Sequence, residues 1–338
     1  MPISTLDRPF SGLNERPLYG QFIRSMASVS SEDLDSCLEQ QQKAGGRLGD
    51  ILCERGLIDT YHRQEALREQ ARWVARALQG DIAPTVLPYP ARLSLCMPAF
   101  NEGENLDSTL ECALICLPEF VEDFEIIVVD DGSKDNTADV VQRWANDDQR
   151  VRLVSHKVNR GYGAAVTTGL RAATGDLVMF TDSDGQFSLL DLPVFLGEIA
   201  NHDLVIGYRF DRAERGLRRV NAWAWTRLIR FMLGVQVRDL DCAFKLFRRE
   251  TLDQLQLSAT GAAINAEIMT QCFERQFQIR ELPVAHFPCY FGTQTGANLR
   301  VIIRAFKELR ALKRNGKSPS ASSTADNNIE QASSSSVA

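Results

Sequence analysis

The chain reads as a doubly wound α/β domain with a mostly parallel sheet, preceded by a small all-α module, and three observations predict this. From Leu93 onward, short apolar runs alternate with amphipathic helical stretches, the signature of stacked βαβ units. Two of those runs, Ile126-Ile127-Val128-Val129 and Val178-Met179-Phe180, are continuously apolar and empty into acidic pairs, Asp130-Asp131 and Asp182-x-Asp184. Before Arg72 a different order holds, because residues 18–70 repeat weakly at a fixed spacing.

Residues 1–17 form an N-terminal arm containing Pro2, Pro9 and Pro17. The repeat follows within 18–80: Gly20 falls on Gly49, Leu38 on Leu67 and Gln41 on Gln70, a constant offset of 29. Each copy is a short helix around its glycine, a turn, and a second helix opened by Ser30 or Asp59 as N-cap. One such unit cannot bury its own apolar face, so the two pack as a pair. Pro84, Pro88 and Pro90 place a linker at 81–91, and removal of residues 1–80 is expected to leave a folded core. The α/β domain occupies 92–315. Strands are predicted at 93–97, 125–130, 151–155, 176–181 and 204–207, with helices near 104–117, 135–147, 162–173 and 190–200. After 210 come a helix over 219–233, a strand from Cys242 to Phe247, a helix near 263–275 and a strand near 278–284. The last helix, 297–314, carries Leu299, Ile302, Ile303, Phe306 and Leu309 among Arg300, Arg304, Lys307 and Arg310, which suits either a membrane surface or packing on the sheet. Residues 316–338 are Ser, Ala, Asn and Gln, too polar to bury, and read as a disordered tail.

Composition narrows the class of partner. Over 338 residues the net charge is −6, which gives no global attraction for nucleic acid. The eight cysteines include no CxxC pair, and several sit inside apolar segments, as suits a reducing cytoplasm. Charges and prolines stand where a signal peptide would have an apolar core, and no run reaches the roughly 18 apolar residues that span a bilayer. A cytoplasmic protein, or one peripheral on the inner membrane face, is expected.

In open α/β sheets ligands gather outside the carboxyl ends of the strands. The first strand ends Met97-Pro98-Ala99-Phe100-Asn101-Glu102 and the second at Asp130-Asp131-Gly132-Ser133, so oxygens suited to a base N–H or ribose hydroxyls stand at neighbouring strand ends. Asn159-Arg160-Gly161-Tyr162-Gly163 is a glycine turn opening a helix, whose amides favour negative charge. Asp182 and Asp184 add hard oxygen ligands of the kind Mg²⁺ or Mn²⁺ accepts while leaving positions for phosphate oxygens. These features together indicate a nucleotide-sugar site. His286 follows a strand and suits either an ordinary hydrogen bond or contact with a metal or diphosphate. Trp223 and Trp225 suit helix packing or an isoprenoid contact. The loop 290–296 suits a lid or a plain connection.

Pro98-Ala99-Phe100-Asn101-Glu102, Asp130-Asp131-Gly132-Ser133, Asn159-Arg160-Gly161, Asp182-x-Asp184-Gly185-Gln186-Phe187, Gly207-Tyr208-Arg209 and Arg238-Asp239-Leu240-Asp241-Cys242-Ala243-Phe244-Lys245 follow one another in this order. Over roughly residues 91–312 the chain therefore resembles glycosyltransferase family 2, and within it the polyprenyl-phosphate enzymes similar to dolichyl-phosphate-mannose synthase. The resemblance implies a GT-A fold and an inverting, metal-dependent hexosyltransferase acting on a UDP- or GDP-linked sugar at the cytoplasmic membrane face. It implies that Pro98, Asn101, Glu102, Asp130, Asp131 and Gly161 line the nucleotide pocket. Asp182 and Asp184 would meet Mg²⁺ or Mn²⁺ and the diphosphate, with Gln186 nearby. Arg209 with Arg218 or Arg219 would grip the phosphate of a polyprenyl phosphate acceptor. Asp239 and Asp241 would face the acceptor, orienting it or binding metal if it is a phosphate, and taking a proton if it is a hydroxyl. Unlike related membrane-bound enzymes, the sequence has nothing after the domain that spans a bilayer. A polysaccharide or protein acceptor is the alternative within the same chemistry.

The repeat resembles the tandem-motif domain at the start of type II secretion and pilus-assembly ATPases, some of which bind cyclic di-GMP. The match rests on Arg47-Leu48-Gly49, Gly56-Leu57-Ile58, Leu67 and Gln70. It implies that Arg47, Gly49 and Gln70 contact a cyclic dinucleotide. The first copy is degraded, with Leu18 where the ligand-gripping arginine belongs and Ala27 for a glycine, and Arg63 replaces a leucine in the second. A nucleotide sensor and a structural or protein-docking module both remain open for it. A third reading is a cyclic di-GMP receptor on a non-catalytic transferase-like scaffold, which the intact acidic pairs oppose.

Overall fold

The computed structural model describes residues 29–44, 47–81, 87–210 and 236–287 together with Ile23, Arg24, Met26 and Ala27. Among these, seven strands form one sheet: β1 (Tyr89–Ala99), β2 (Val121–Asp130), β3 (Val151–Ser155), β4 (Leu177–Phe180), β5 (Leu204–Arg209), β6 (Lys245–Arg248) and β7 (Ile279–Val284). Their order is β3-β2-β1-β4-β6-β5-β7. β1 pairs in parallel with β2 and β4, β2 with β3, and β5 with β7, whereas β6 runs antiparallel to both its neighbours. The expected mostly parallel sheet is therefore present, with one reversed strand. β1 is longer than its apolar stretch suggests, because Tyr89 already pairs with Val121.

Three helices precede β1, α1 (Ser31–Ala44), α2 (Leu48–Glu54) and α3 (Thr60–Asp81), and those flanking the sheet are α4 (Gly103–Phe120), α5 (Thr137–Asp147), α6 (Tyr162–Ala172), α7 (Leu192–Ile199) and α8 (Ile264–Glu274). Strand residues alternate between two cores, as the pleat requires. Leu93, Leu95 and Met97 of β1 face Leu106, Leu110 and Leu117 of α4 and Phe195 of α7. Cys96 and the opposite faces of β2 and β4 meet Val166 and Leu170 of α6 with Ile268 and Met269 of α8. The helices thus change face between β2 and β4, on either side of β1. That reversal opens a crevice at the carboxyl ends of β1 and β4, where open sheets of this kind bind their ligands.

Cys242–Phe247 was expected as one strand, but β6 starts only at Lys245. The fully buried Lys245 Nζ donates to the Leu240 and Cys242 carbonyls and, at 2.9 Å, to Asn265 Oδ1. A cation that recruits carbonyls three and five residues back folds that segment into a turn, so the apolar run is not extended throughout.

The N-terminal region comprises α1 (Ser31–Ala44), α2 (Leu48–Glu54) and α3 (Thr60–Asp81). Cys37, Leu48, Ile51, Leu52, Ile58 and Ala66 make its own small core. Arg63, unexpected at a leucine position, donates to Asp50 and lies 2.5 Å from Glu111 of α4. The second half of α3 places Ala71, Val74 and Ala75 in the core shared with β1 and α4. Deletion of residues 1–80 strips that cover and exposes apolar surface. The truncated protein is expected to be insoluble, whereas deletion of 1–58, which spares α3, retains a cooperative melt. A soluble 81–338 fragment with the full-length melting temperature would contradict this.

Candidate active site

β1, β2 and β4 end side by side, and the turns that follow them are tied to one another. The Asn101 amide donates to Ser133 Oγ at 2.9 Å, Asn101 Oδ1 accepts from the Lys134 amide at 2.9 Å, and the Glu102 amide donates to Thr137 Oγ1 at 2.9 Å. Asn101 holds φ at +57°, a left-handed conformation that asparagine tolerates better than most residues and that side-chain bonding of this kind stabilises. The Pro98 carbonyl accepts from Ser183 Oγ at 2.9 Å, fastening the loop after β4 to the end of β1. Asp130 is 5% exposed and its Oδ1 accepts from the Ser133 amide at 2.9 Å, closing the turn that follows β2.

Asp131 is held by a set of hydrogen bonds at the start of α6. It is 2% exposed: Oδ1 accepts from the Arg160 amide at 2.9 Å and lies 2.6 Å from His156 Nδ1, and Oδ2 accepts from the Gly161 amide at 2.7 Å. Its carboxylate therefore sets the glycine turn at the start of α6, where Gly161 has φ +103°. His156, whose Nε2 is 3.0 Å from Thr168 Oγ1, completes this linkage. Its position directly after the β3 run was the available sequence signal.

Glu102, Asp182 and Asp184 share the crevice. The Tyr162 hydroxyl donates to Asp182 Oδ1 at 2.9 Å, and Asp184 Oδ1 accepts from the Gln186 amide at 3.0 Å. Burial raises the Asp182 carboxyl above its ordinary range, although Tyr162, Arg209 and Lys245 pull the other way. Asp184 is pushed up to about 7, first by burial and then by the charges of Asp182 and Glu102. Glu102 is raised too, by burial with Asp182 and Asp135 contributing. The buried Gln186 donates from Nε2 to the Phe287 carbonyl at 2.9 Å, joining this loop to the segment after β7. His286 stands edge-on to Phe187, with ring centres 5.2 Å apart.

Arg209 and Asp239, assigned separately to an acceptor, bind each other: Nε donates to Oδ2 at 2.7 Å and Nη2 to Oδ1 at 3.0 Å. This forked pair is largely buried, with side chains 16% and 5% exposed. A guanidinium facing a carboxylate of matched planar geometry takes that partner whenever the fold presents one. Asp241 lies in the same turn, half-buried. Arg218, Arg219, Trp223, Trp225, the loop 290–296, the helix expected at 297–314 and the tail lie outside the described residues. Of the cyclic dinucleotide positions, Gly49 is buried within α2 and Gln70 lies on α3. Arg47 is committed to α4, donating to the Ser108 carbonyl and to Thr109 Oγ1.

The donor set fits a divalent cation. Among the described residues no three His, Cys, Asp or Glu side chains stand close enough to hold a metal alone. Hard cations such as Mg²⁺ accept one or two carboxylates when phosphate and water oxygens supply the rest, and Asp182 and Asp184 provide that number where negative charge has accumulated. Among the described residues no helix is long and apolar enough to cross a membrane.

A sheet of this order, with carboxylates gathered at its central strand ends, defines the GT-A class of sugar-transferring folds. The chain belongs to glycosyl transferase family 2, whose profile matches residues 94–256. It is a glycosyltransferase. It is 34% identical to a dolichyl-phosphate beta-glucosyltransferase of Trichomonas vaginalis over 60% of this chain and 68% of that protein. It is 30% identical to the dodecaprenyl-phosphate galacturonate synthase of Rhizobium johnstonii, over 49% of this chain and 50% of the relative. A solved glucosyl-3-phosphoglycerate synthase from Mycobacterium tuberculosis, in complex with UDP, shares the fold with a TM-score of 0.50 and 21% identity, over 71% of this chain and 82% of that one.

Proposed function

We propose that the chain moves a hexose, with inversion, from a UDP- or GDP-linked sugar to a polyprenyl phosphate. The placement of Glu102, Asp182 and Asp184 together at the carboxyl ends of β1 and β4 carries this reading. The activities of the Trichomonas and Rhizobium relatives, named for dolichyl phosphate and dodecaprenyl phosphate, support the acceptor class. In the reaction an acceptor phosphate oxygen bonds to the anomeric carbon, the carbon's bond to the donor diphosphate breaks, and the nucleoside diphosphate leaves with that electron pair. Mg²⁺ or Mn²⁺ held by Asp184 and Asp182 would neutralise the charge growing on that diphosphate. Asn101, Asp130 and the Pro98 turn form the rim beside which the base and ribose lie. The Asp131-held turn at Gly161 fixes Tyr162, which in turn orients Asp182. Because the nucleophile is already ionised, no strong general base is needed, and Asp241 orients the acceptor. Arg209 uses Nε and Nη2 on Asp239, so an acceptor phosphate meets the remaining edge of its guanidinium.

Isothermal titration with UDP and with GDP, each with and without Mn²⁺, tests the site. Binding of one nucleotide that needs the cation is expected. Binding of neither in the presence of Mn²⁺ overturns the reading. Radiolabelled nucleotide sugars offered with short-chain polyprenyl phosphates then identify donor and acceptor.

The affinity should also depend on pH. A carboxyl whose folded pKa lies above its unfolded value of about 4 adds stability fully present below that value and lost as pH rises through the folded pKa, here about 7 for Asp184. Binding a cation displaces that proton, so Mn²⁺-dependent nucleotide affinity should rise from pH 6 to pH 8 and then level off. A flat profile over that interval would contradict the assignment of Asp184.

A further inference from the structure

Arg47 immediately precedes α2 in extended backbone, with φ −82° and ψ 135°. From there its guanidinium crosses to α4, where Nη1 donates to the Ser108 carbonyl and Nη2 donates to Thr109 Oγ1 at 3.2 Å. The Thr109 hydroxyl has one proton to give and two carbonyls within reach, Asn105 at 2.9 Å and Ser183 at 3.3 Å. Ser183 lies between the two aspartates of the cation loop. The same guanidinium also covers Gly185, which has φ +71°: a Cβ there would stand 2.9 Å from Arg47 Nη2 and 3.4 Å from Thr109 Oγ1. Arg47 thus lies against the backbone of the loop whose carboxylates face the crevice.

The seat of this arginine is rigid. Arg63 and Gln64 of α3 both reach Glu111 of α4, Gln64 Nε2 at 2.7 Å, and Arg72 Nε donates to Glu119 at 3.1 Å. Further along α3, Ala71 and Val74 are in the sheet's own core. The helical region therefore cannot swing away from α4 without disrupting both an ionic row and an apolar contact.

We propose that Arg47 is a positioning residue for the Asp182–Gly185 loop, so that the N-terminal region forms the outer support of the cation and diphosphate site. The proposal rests on that reading of the site only for its effect on binding; the support of the loop is a separate matter. A loop carrying two mutually repelling carboxylates needs its backbone held from behind.

The test compares Arg47→Ala with Arg55→Ala in the full chain. Arg55 bonds only within the helical region among the described residues, to Gln40 at 3.0 Å and Ser36 at 2.9 Å, so it reports on general loosening of that region. Amide hydrogen exchange over residues 181–187 should accelerate about tenfold in Arg47→Ala and not in Arg55→Ala, at unchanged melting temperature. UDP or GDP affinity with Mn²⁺ should fall by a similar factor. Thr109→Val, which removes the relaying hydroxyl without disturbing Arg47's backbone, should accelerate the same amides and serves if Arg47→Ala does not fold. Unchanged exchange in both Arg47→Ala and Thr109→Val overturns the proposal. A wild-type protein that binds no nucleotide overturns the site reading instead, while the exchange comparison still decides the role of Arg47.

Discussion

Replacing Asp184 by alanine or asparagine is expected to reduce sugar transfer by on the order of 10³-fold, while the protein remains folded and melts at the same temperature or higher at pH 8. The two halves of this expectation have one cause. Burial and the charges of Asp182 and Glu102 hold the Asp184 carboxyl near 7, so its ionised form is disfavoured in the folded chain. Removing it relieves repulsion. The proposed transfer, by contrast, would use that concentrated negative charge to hold a cation against the leaving diphosphate, and two carboxylates are few enough that losing one leaves no substitute. Transfer assays alongside thermal melts check both halves. Activity within tenfold of wild type would remove Asp184 from the mechanism, and a large fall in melting temperature would recast it as structural.

Asp239→Ala should have the largest effect on stability, about 3–5 kcal/mol, because it leaves the Arg209 guanidinium buried without its forked partner. At 16% and 5% exposure neither side chain can turn to water without moving the turn around it. Replacing both together, as Arg209→Met with Asp239→Leu, should recover most of the loss, since a buried pair exchanged for apolar groups of similar volume is often neutral. The double variant should still fail to transfer sugar if Arg209 also meets the acceptor phosphate. Urea denaturation of the three variants with a transfer assay separates these outcomes. A double variant that is both stable and fully active would confine the pair to a structural role.

Much of the architecture was legible because it depends on local pattern. Ile126–Val129 and Val178–Phe180 read as buried strands, and each forms one. The acidic pairs that follow them do stand at the sheet rim. The reversed direction of β6 was not legible, since strand direction follows from the path of the preceding chain and not from the apolar character of Leu246 and Phe247. Nor was the fate of α3. Residues 72–81 lost the repeat pattern because their apolar positions, among them Val74 and Ala75, serve the sheet rather than the helical core.

The amino-acid sequence by itself determined which strands exist, where their carboxyl ends carry acid, and that a helical repeat stands before them, because apolar runs, turn residues and repeat spacing act over neighbouring positions. Tertiary structure alone decided which of the chemically equivalent side chains face the crevice. Asp131 bonds His156 and the amides of Arg160 and Gly161, and one edge of Arg209 bonds Asp239, 30 residues away. Arg47 reaches Thr109, 62 residues away. A carboxylate or guanidinium binds the partner that folding brings within about 3 Å, and that proximity is a property of the packed chain, absent from any short segment of it.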